Sequence, residues 1–502
     1  MTRAWARELA GWIAAAAVSL ITAATVAASA RADLLFRDGD SLIVAMVARS
    51  VLSGEKLDWA MSSVLFIPES AGFAALDAAL PVGANGLFAV SGALNLLALY
   101  GAIRLVAGRS RPGYAPVAWS IIALAAFGAL AMTETSPSRD ALELASLQLT
   151  TTYYSATVVA VILAVGIMRR MLDRRARGVG LVVALGAVAL FSTLTNPLFA
   201  VWGTVPLMFV LAVTALLDAG RRTRILTAAV TLVGATGLGF LARIPFAAWI
   251  ANTGAGYAQP ELWPESIAYY GGLLADRLST APGILASLMT LALVTLAVVR
   301  TVRAPDVGSR LVAAVAWIVP LLVVVGAIAL GTHAARYLQP VVFAPLLALV
   351  AAPRAVTFPV RLRLRRASAA AAVALLLVGG GLSIPRLADA AQQPDPDLAC
   401  VTDWVDTSGR TGAGQFWTVR LPKLHLDDPS GLVQVDHRLN GYAWLVNRTD
   451  FEVGEVSFLV EDSQTVPWDL PVSAVPDRVI DCGRYSILDF GDATLPLGPA
   501  HS

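Results

Sequence analysis

The sequence is poor in charged residues, cysteine and histidine, and each shortage argues against a class of function. Charged residues make up 14% of 502 positions, whereas soluble domains carry roughly 25%. Hydrophobic residues make up 57%, and the mean hydropathy is +0.68. A net charge of +2 without a basic tract argues against nucleic acid as a partner. Four histidines, two cysteines and no CxxC pair argue against a structural metal site.

The only two cysteines, Cys400 and Cys482, lie in the polar C-terminal region. Disulfides form outside the reducing cytoplasm. We therefore predict a bond between these two residues if that region lies outside the cytoplasm.

Long apolar stretches occupy most of the first 384 residues. A helix of about 20 residues crosses a hydrocarbon core of about 30 Å, and eleven stretches meet or approach that length. The sequence therefore predicts an all-α polytopic membrane protein with about 11 transmembrane helices. The stretches are Leu9–Ala30, Gly86–Val106, Tyr114–Met132, Leu149–Met168, Val179–Leu194, Pro197–Leu217, Ile225–Ala242, Ile284–Val299, Leu311–Leu330, Leu338–Ala352 and Ala367–Ile384.

Arginine clusters indicate the orientation, because positive charge favours the cytoplasmic side of a membrane. Clusters precede the first stretch and follow the second, fourth, sixth, eighth and tenth, so all fall on one side. We expect a multi-pass protein of a bacterial plasma membrane, with its N-terminus cytoplasmic and its C-terminal region extracytoplasmic. Contact of these arginines with membrane lipids is a secondary expectation. The clusters are Arg3 and Arg7; Arg109 and Arg111; Arg169, Arg170, Arg174, Arg175 and Arg177; Arg221, Arg222 and Arg224; Arg300, Arg303 and Arg310; and Arg354, Arg361, Arg363, Arg365 and Arg366.

Two domains are predicted. Residues 1–384 form the transmembrane domain with an extracytoplasmic first loop at 31–85, and residues 385–502 form a small, mainly-β extracytoplasmic domain. Within the loop, apolar residues of Ser41–Leu52 recur at helical spacing, which predicts an interfacial helix. In the tail, four runs rich in aromatic and β-branched residues predict strands. These runs are Gly414–Leu421, Tyr442–Asn447, Glu455–Val460 and Tyr485–Phe490.

Two carboxylates, Asp38 and Asp40, follow the first apolar stretch directly. Acidic side chains are costly near hydrocarbon, so a functional role is favoured. A carboxylate in a partly dry cleft can accept the proton of an attacking hydroxyl, which makes both residues candidate catalytic bases. The structural alternative is that they cap the helix predicted from Ser41.

A few arginines lie on the predicted external side, although most arginines of the chain lie on the predicted cytoplasmic side. Arg336 stands at the external start of a span, with His333 one helical turn earlier, and Arg139 and Arg243 lie in other external loops. Because a guanidinium matches phosphate oxygens, these residues are candidate phosphate contacts. The alternatives are an ion pair or a headgroup contact for Arg336, and an ordinary loop position for His333.

Glu69 follows Pro68 in the first loop and is a further candidate for substrate binding. Its alternative role is to cap a helix that starts near Ser70. Four short motifs surround these candidates. They are Asp38-Gly39-Asp40; Trp59 to Ser63 with Phe66, Pro68 and Glu69; Asn196-Pro197-Leu198-Phe199; and Arg336-Tyr337-Leu338-Gln339-Pro340.

Together with the many apolar stretches, these motifs resemble the GT-C superfamily of integral-membrane glycosyltransferases. The resemblance implies a polyprenyl-phosphate-linked sugar donor and a catalytic acidic residue in the first external loop. Many members carry adjacent acidic residues there, whereas Gly39 separates them here, so both remain candidates. A divalent cation, Mg²⁺ or Mn²⁺, is compatible with such a site, because its oxygen ligands can bridge carboxylate and phosphate. No residue pattern requires a metal or another cofactor.

The leading hypothesis is a hexosyl- or pentosyltransferase of the cell envelope that acts on a glycan, lipid or protein acceptor. Under this hypothesis we expect Asp38, Asp40 and Arg336 to lie in one pocket at the exterior leaflet. One alternative is a transporter or flippase for a lipid-linked precursor, which should carry ionisable residues at mid-depth in its spans. The other is a non-catalytic membrane scaffold that presents the C-terminal domain.

Overall fold

The computed structural model describes residues 2–173, 178–355, 362–470 and 474–502. Arg174, Arg175, Arg177 and Arg361 of the predicted arginine clusters lie outside the described residues. The chain falls into two compact units. The first comprises Met1–Leu34, Phe88–Ile244 and Gly256–Ala391; the second comprises Leu35–Leu87, Pro245–Ala255 and Gln392–Ser502. Most of the first loop thus belongs to the same unit as the tail.

Helices dominate the described chain. In the first unit α1 packs against α16 and α6, α8 against α10, and α12 against α13. The helices are α1 Thr2–Ala27, α2 Ala32–Phe36, α3 Ile43–Ser53, α4 Ile67–Ala79, α5 Ala84–Val106, α6 Pro116–Met132, α7 Ser155–Asp173, α8 Val179–Thr195, α9 Val205–Leu217, α10 Arg222–Leu241, α11 Trp263–Leu278, α12 Ala281–Val302, α13 Val307–Ala329, α14 Pro340–Phe343, α15 Leu347–Ala351, α16 Leu362–Ala391, α17 Pro396–Ser408 and α18 Phe416–His425.

Eight helical segments of the described chain are long and apolar enough to cross a membrane. This fits the predicted helical polytopic protein. Three further apolar helical segments, 116–132, 179–195 and 335–351, overlap predicted stretches but are shorter than 18 residues. The count of eleven spans therefore remains a prediction. The eight are Ala4–Ala27, Ala84–Val106, Ser155–Asp173, Ala200–Leu217, Ala219–Leu241, Ala281–Val302, Val307–Ala329 and Ala370–Ala391.

The tail contains the predicted β-structure, in a seven-stranded mixed sheet of order β11-β4-β3-β2-β7-β9-β8. Its centre is parallel, because β2 pairs in parallel with both β3 and β7. The described strands are β1 Trp59–Ala60, β2 Gly412–Gln415, β3 Leu432–Val435, β4 Asn440–Tyr442, β5 Val446–Asn447, β6 Glu455–Val456, β7 Phe458–Glu461, β8 Arg478–Cys482, β9 Tyr485–Asp489, β10 Leu495–Pro496 and β11 Gly498–His501.

One predicted strand of the tail was partly wrong. Gly414–Leu421 was predicted as extended, but β2 ends at Gln415 and α18 begins at Phe416. Parallel strands cannot be joined by a tight turn and need a crossover, usually a helix, and α18 supplies it between β2 and β3. Aromatic and β-branched residues favour a strand only where tertiary packing agrees. The tail therefore holds helices α17 and α18 beside its sheet.

Both faces of the central sheet are buried. Along β7, Phe458 and Val460 belong to one apolar cluster and Leu459 belongs to another. Since successive side chains of a strand point to opposite faces, the two clusters lie on the two sides of the sheet. This burial is typical of parallel strands.

The first loop is bound to the tail within the second unit. β1 pairs with β5 in antiparallel fashion, and Arg49 on α3 donates hydrogen bonds to the carbonyls of Leu424 and Leu426. The predicted helix at Ser41–Leu52 is present as α3, but Ile43, Val44 and other apolar residues of it are buried, and α3 packs against α4. The interpretation as a helix lying on the membrane was therefore wrong for these side chains, because buried side chains do not face lipid.

The predicted disulfide is confirmed. Cys400 of α17 and Cys482 of β8 are bonded, with Cα atoms 5.5 Å apart and a sequence separation of 82. Both residues pack with the apolar cluster that contains Phe458. A cross-link that closes a loop of this length restricts the unfolded chain strongly.

We predict that the double variant Cys400→Ser, Cys482→Ser loses about 4 kcal/mol of unfolding free energy in the second unit, because the unfolded loop is no longer closed. Thermal melting of the purified full-length protein, with and without reductant, measures the loss. Wild type should melt earlier in reductant, whereas the double variant should be insensitive to it. Equal melting of wild type in both conditions would contradict the prediction.

Candidate functional site

The acidic turn, residues 38–40, lies between α2 and α3 in the second unit. The Asp38 carboxylate accepts hydrogen bonds from the backbone N–H and the hydroxyl of Ser41, both at 3.2 Å. Asp38 and Asp40 are half-buried, and Gly39 is buried between them. A Cβ on Gly39 would come within 3.1 Å of the Trp417 ring and 3.3 Å of the Phe416 ring. Glycine therefore permits the close approach of this turn to α18.

A buried arginine of α18 holds the acidic turn. Arg420 is fully buried, and its Nε donates a hydrogen bond of 2.7 Å to the carbonyl of Gly39. Its Nη1 donates to the carbonyl of Leu445 and, at 3.4 Å, to Oε1 of Gln434. Its Nη2 has no hydrogen-bond partner in the described part of the chain. One guanidinium thus joins the first loop to two segments of the tail.

The charge of Arg420 is balanced by acidic neighbours. Burial lowers its pKa to about 10, and the negative charges of Asp40 and Asp38 oppose that decrease. The side chain is therefore cationic at neutral pH. Sequence reasoning missed this residue, because a lone arginine within an apolar run carries no signal of which backbone it will meet.

Aromatic side chains surround the same turn. Phe416 packs edge-on against Trp417 at 4.5 Å between ring centroids, and against Tyr442 at 6.2 Å. Burial raises the pKa of Tyr442, and the negative charge of Asp40 raises it further.

The residue before the turn is also anchored. Arg37 forms an ion pair of 3.6 Å with Asp395, which accepts two hydrogen bonds from Arg484 at 2.8 and 2.7 Å. Burial of Asp395 favours its neutral form, but the hydrogen bonds from Arg484 and Leu398 prevail and lower its pKa. The chain on the N-terminal side of Asp38 is thus tied to the start of α17.

Glu69 lies in the first turn of α4, also in the second unit, and is 8% exposed. Phe66, just before this helix, has a φ of 48°, which is uncommon for a residue with a bulky side chain. The partial positive charge of a helix N-terminus stabilises a carboxylate at this position. Its predicted contact with substrate stays a prediction.

Three of the predicted substrate-binding residues come together in the first unit. Arg336 contacts Asp140 at 3.3 Å, and Arg139 contacts the same carboxylate at 3.8 Å. The ring of His333 lies 5.4 Å from that of Tyr269. Burial raises the pKa of Tyr269, with the charge of Asp140 adding to the effect. We call these five residues the Asp140 cluster.

The loop that carries Asp140 is held by buried charges. The Glu134 carboxylate accepts hydrogen bonds from the backbone of Ala145 and Ser146, at 2.8 and 2.7 Å. Arg31, 1% exposed, donates to the carbonyl of Glu143 and to other oxygens of the same loop. Rigid support of this kind fixes the loop that carries Arg139 and Asp140.

Arg243, the remaining predicted substrate contact, has a different environment. It is 9% exposed, and its Nη1 donates a hydrogen bond of 2.7 Å to the carbonyl of Leu194. Leu194 lies in the last turn of α8, where backbone carbonyls lack helical partners. A basic side chain that satisfies such a carbonyl stabilises the helix end.

We predict that Arg420→Met lowers the unfolding free energy of the second unit by about 3–5 kcal/mol, because it leaves buried carbonyls and carboxylates without their cation. The matched control is Arg438→Met. Arg438 pairs with Asp469 at the surface, with 62% of its side chain exposed, so its loss should cost less than about 1 kcal/mol. Thermal melting of the two purified variants measures the difference. Equal melting temperatures would contradict the role given to Arg420.

Comparison with known proteins does not identify a family for this chain. No protein-family model matches the chain, and no curated protein matches it at a significant level. The resemblance to the GT-C superfamily therefore stays a prediction that rests on short motifs.

Proposed function

We propose that the chain is a membrane glycosyltransferase that moves a sugar from a polyprenyl-phosphate donor to an extracytoplasmic glycan, lipid or protein acceptor. The observation that carries the proposal is the acidic turn fixed by the fully buried Arg420, shortly after the first membrane-length helix. A carboxylate held in place beside buried groups is what general-base catalysis requires.

Asp40 is the better candidate for the base. The carboxylate of Asp38 is committed to the backbone and hydroxyl of Ser41, which is the structural role expected of a residue that closes a turn. Asp38 and Asp40 both act electrostatically on Arg420, and Asp40 also raises the pKa of Tyr442. Asp38 then serves to position the turn.

The reaction that follows is an inverting transfer. Asp40 accepts the proton of the acceptor hydroxyl as its oxygen forms a bond to the anomeric carbon of the donor sugar. The bond between that carbon and the phosphate oxygen breaks, and polyprenyl phosphate leaves with the electron pair. The leaving phosphate carries negative charge, and Arg336 and Arg139 stay candidate phosphate contacts by their side-chain chemistry alone.

A metal is not required by this scheme. In the described part of the chain, His, Cys, Asp and Glu side chains form no group of three or more that could hold a metal ion. Mg²⁺ or Mn²⁺ would then take most of its ligands from water and the donor phosphate, as Mg²⁺ often does.

Transport of a lipid-linked precursor is the second candidate. It is favoured by the interruption at Asn196 and Pro197 between α8 and α9, followed by a π-helical turn at Ala200–Thr204. The charge distribution argues against it, because every Asp, Glu, Lys and Arg in the eight described candidate spans lies within about two turns of a helix end. Ion-coupled carriers place such residues at mid-depth. A non-catalytic scaffold would need neither the turn nor the cluster.

We predict that Asp40→Asn lowers transfer by about 10²–10⁴-fold, because the amide cannot accept the proton. The assay follows a radiolabelled sugar from polyprenyl phosphate into acceptor by the purified protein. Asp77→Asn, the same change elsewhere in the first loop, should leave transfer unchanged. Full transfer by the double variant Asp38→Asn, Asp40→Asn would defeat the enzymatic proposal and leave transport or scaffolding.

We predict that Arg336→Gln raises the KM for the donor by about tenfold or more, because a charge-assisted hydrogen bond to phosphate is lost. Arg336→Lys should recover part of the affinity, since it restores the charge without the planar fork. The exposed Arg222, changed to Gln, is the control. A donor KM that does not change in Arg336→Gln would remove this residue from the phosphate site.

A further inference from the structure

Helix α11, Trp263–Leu278, carries an exposed row of apolar side chains within the first unit. Its four members follow one another at steps of four, seven and four residues, which places them on one side of the helix. Each is between 43% and 51% exposed. We call this row the apolar stripe; it consists of Trp263, Ile267, Leu274 and Leu278.

The charged side chains that α11 exposes lie away from the stripe. Glu265 and Asp276 are exposed, and about 3.6 residues per turn place both roughly opposite the stripe. A helix with an apolar side and an opposite acidic side is suited to the boundary between hydrocarbon and water.

A third side of α11 is packed, and its hydrogen bonds fix the rotation of the helix. Ser266 donates to the carbonyl of Thr332 at 2.7 Å, and the hydroxyls of Tyr270 and Thr332 are also 2.7 Å apart. Near the end of the helix, Arg277 is buried and donates to the Glu143 carboxylate at 2.7 Å. Because the protein holds this side, the stripe is directed outward.

α11 does not have the form of a membrane span. Its 16 residues cover about 24 Å, less than the thickness of a hydrocarbon core, which is about 30 Å. A separate helix, α12, follows at Ala281–Val302, and the hydroxyl of Thr280 caps its start by accepting a hydrogen bond from the Gly283 N–H. α12 is itself long and apolar enough to cross a membrane. α11 is therefore an additional helix beside a complete span.

The stripe adjoins the apolar surface of α12. α11 packs against α12, and only Ser279 and Thr280 separate the two helices in the sequence. In a membrane-spanning helix, exposed apolar side chains face lipid. Lipid is therefore the occupant that the surface next to the stripe already requires. The exposed apolar residues in the first half of α12 are Ile284, Leu285, Leu288 and Leu291.

We propose that α11 lies flat at the membrane surface, with the apolar stripe in the boundary between acyl chains and headgroups and with Glu265 and Asp276 in water. Trp263 suits this depth, because tryptophan is enriched where hydrocarbon meets headgroups. The proposal does not rest on the transferase function. It assigns the interfacial position to α11 rather than to α3, whose apolar residues are buried.

The Asp140 cluster shares this helix. Tyr269 of α11 lies against His333, and Arg277 ties the helix to Glu143 in the loop that carries Asp140. A helix seated on the lipid surface therefore holds the Asp140 cluster near that surface.

The test measures which reagents reach nitroxide labels on α11 in liposomes of phosphatidylcholine and phosphatidylglycerol. Both natural cysteines, Cys400 and Cys482, are bonded to each other, so a single introduced cysteine takes the label in the full-length protein. Ile267→Cys and Leu274→Cys report on the stripe. Glu265→Cys and Asp276→Cys, on the opposite side of the same helix, are the matched controls. Electron paramagnetic resonance compares the access of oxygen, which concentrates in lipid, with that of a water-soluble nickel chelate.

The ratio of oxygen access to nickel access should be about fivefold or more higher at the two stripe positions than at the two control positions, because the apolar side lies within the acyl boundary. All four positions are exposed, so the labelled proteins should melt as wild type does. A stripe variant that melts early is replaced by Trp263→Cys or Leu278→Cys.

Three results would overturn the proposal. Ready access of nickel to all four positions would show that the stripe faces water. Exclusion of both reagents from the stripe positions would show that protein covers it, as a second copy of the chain could. A high oxygen ratio at the control positions as well would show that the whole helix is submerged in hydrocarbon.

Discussion

The hydrogen bonds of the Arg420 guanidinium are the constraint on which the second unit depends. This group joins the carbonyl of Gly39 in the first loop to the carbonyl of Leu445 and the amide oxygen of Gln434 in the tail. Burial of a cation is costly and is tolerated only when its neighbours compensate for lost water. Here Asp40, Asp38 and Asp450 supply the opposing charge. The position of the acidic turn is therefore determined by a residue about 380 positions away in the sequence.

The proposed chemistry depends on the acidic turn that this constraint holds. The Asp38 carboxylate accepts hydrogen bonds from Ser41, and the charges of Asp38 and Asp40 both act on Arg420. The charge of Asp40 also raises the pKa of Tyr442. In the first unit, buried charges hold the loop that presents Asp140 to Arg336 and Arg139. In both regions a buried charged side chain donates hydrogen bonds to backbone carbonyls. These bonds hold the segment that carries the more exposed charged residues.

The sequence predicted the features that have local signals. The structure contains apolar helices of membrane-spanning length, the disulfide between the two cysteines, and strands in the tail. The sequence could not predict that the first loop would join the tail, since β1 has two residues and its partner β5 is almost 390 positions away. It also misjudged Phe416–Leu421, where the need for a crossover between parallel strands overrides local preference.

The sequence indicated Arg336, Arg139 and His333 as candidates because basic residues on a predicted external face are unusual, and their contact with substrate stays a prediction. Arg420 and Arg31 were missed, because both donate mainly to backbone carbonyls, whose positions no residue pattern reveals.

Hydrogen–deuterium exchange of the purified full-length protein measures whether Arg420 holds the acidic turn. The reporting amide is that of Ser41, which donates to the Asp38 carbonyl at 2.7 Å. We expect slow exchange for peptides covering residues 36–46 in wild type and in Arg438→Met, and exchange at least tenfold faster in Arg420→Met. Identical exchange in all three proteins would contradict it.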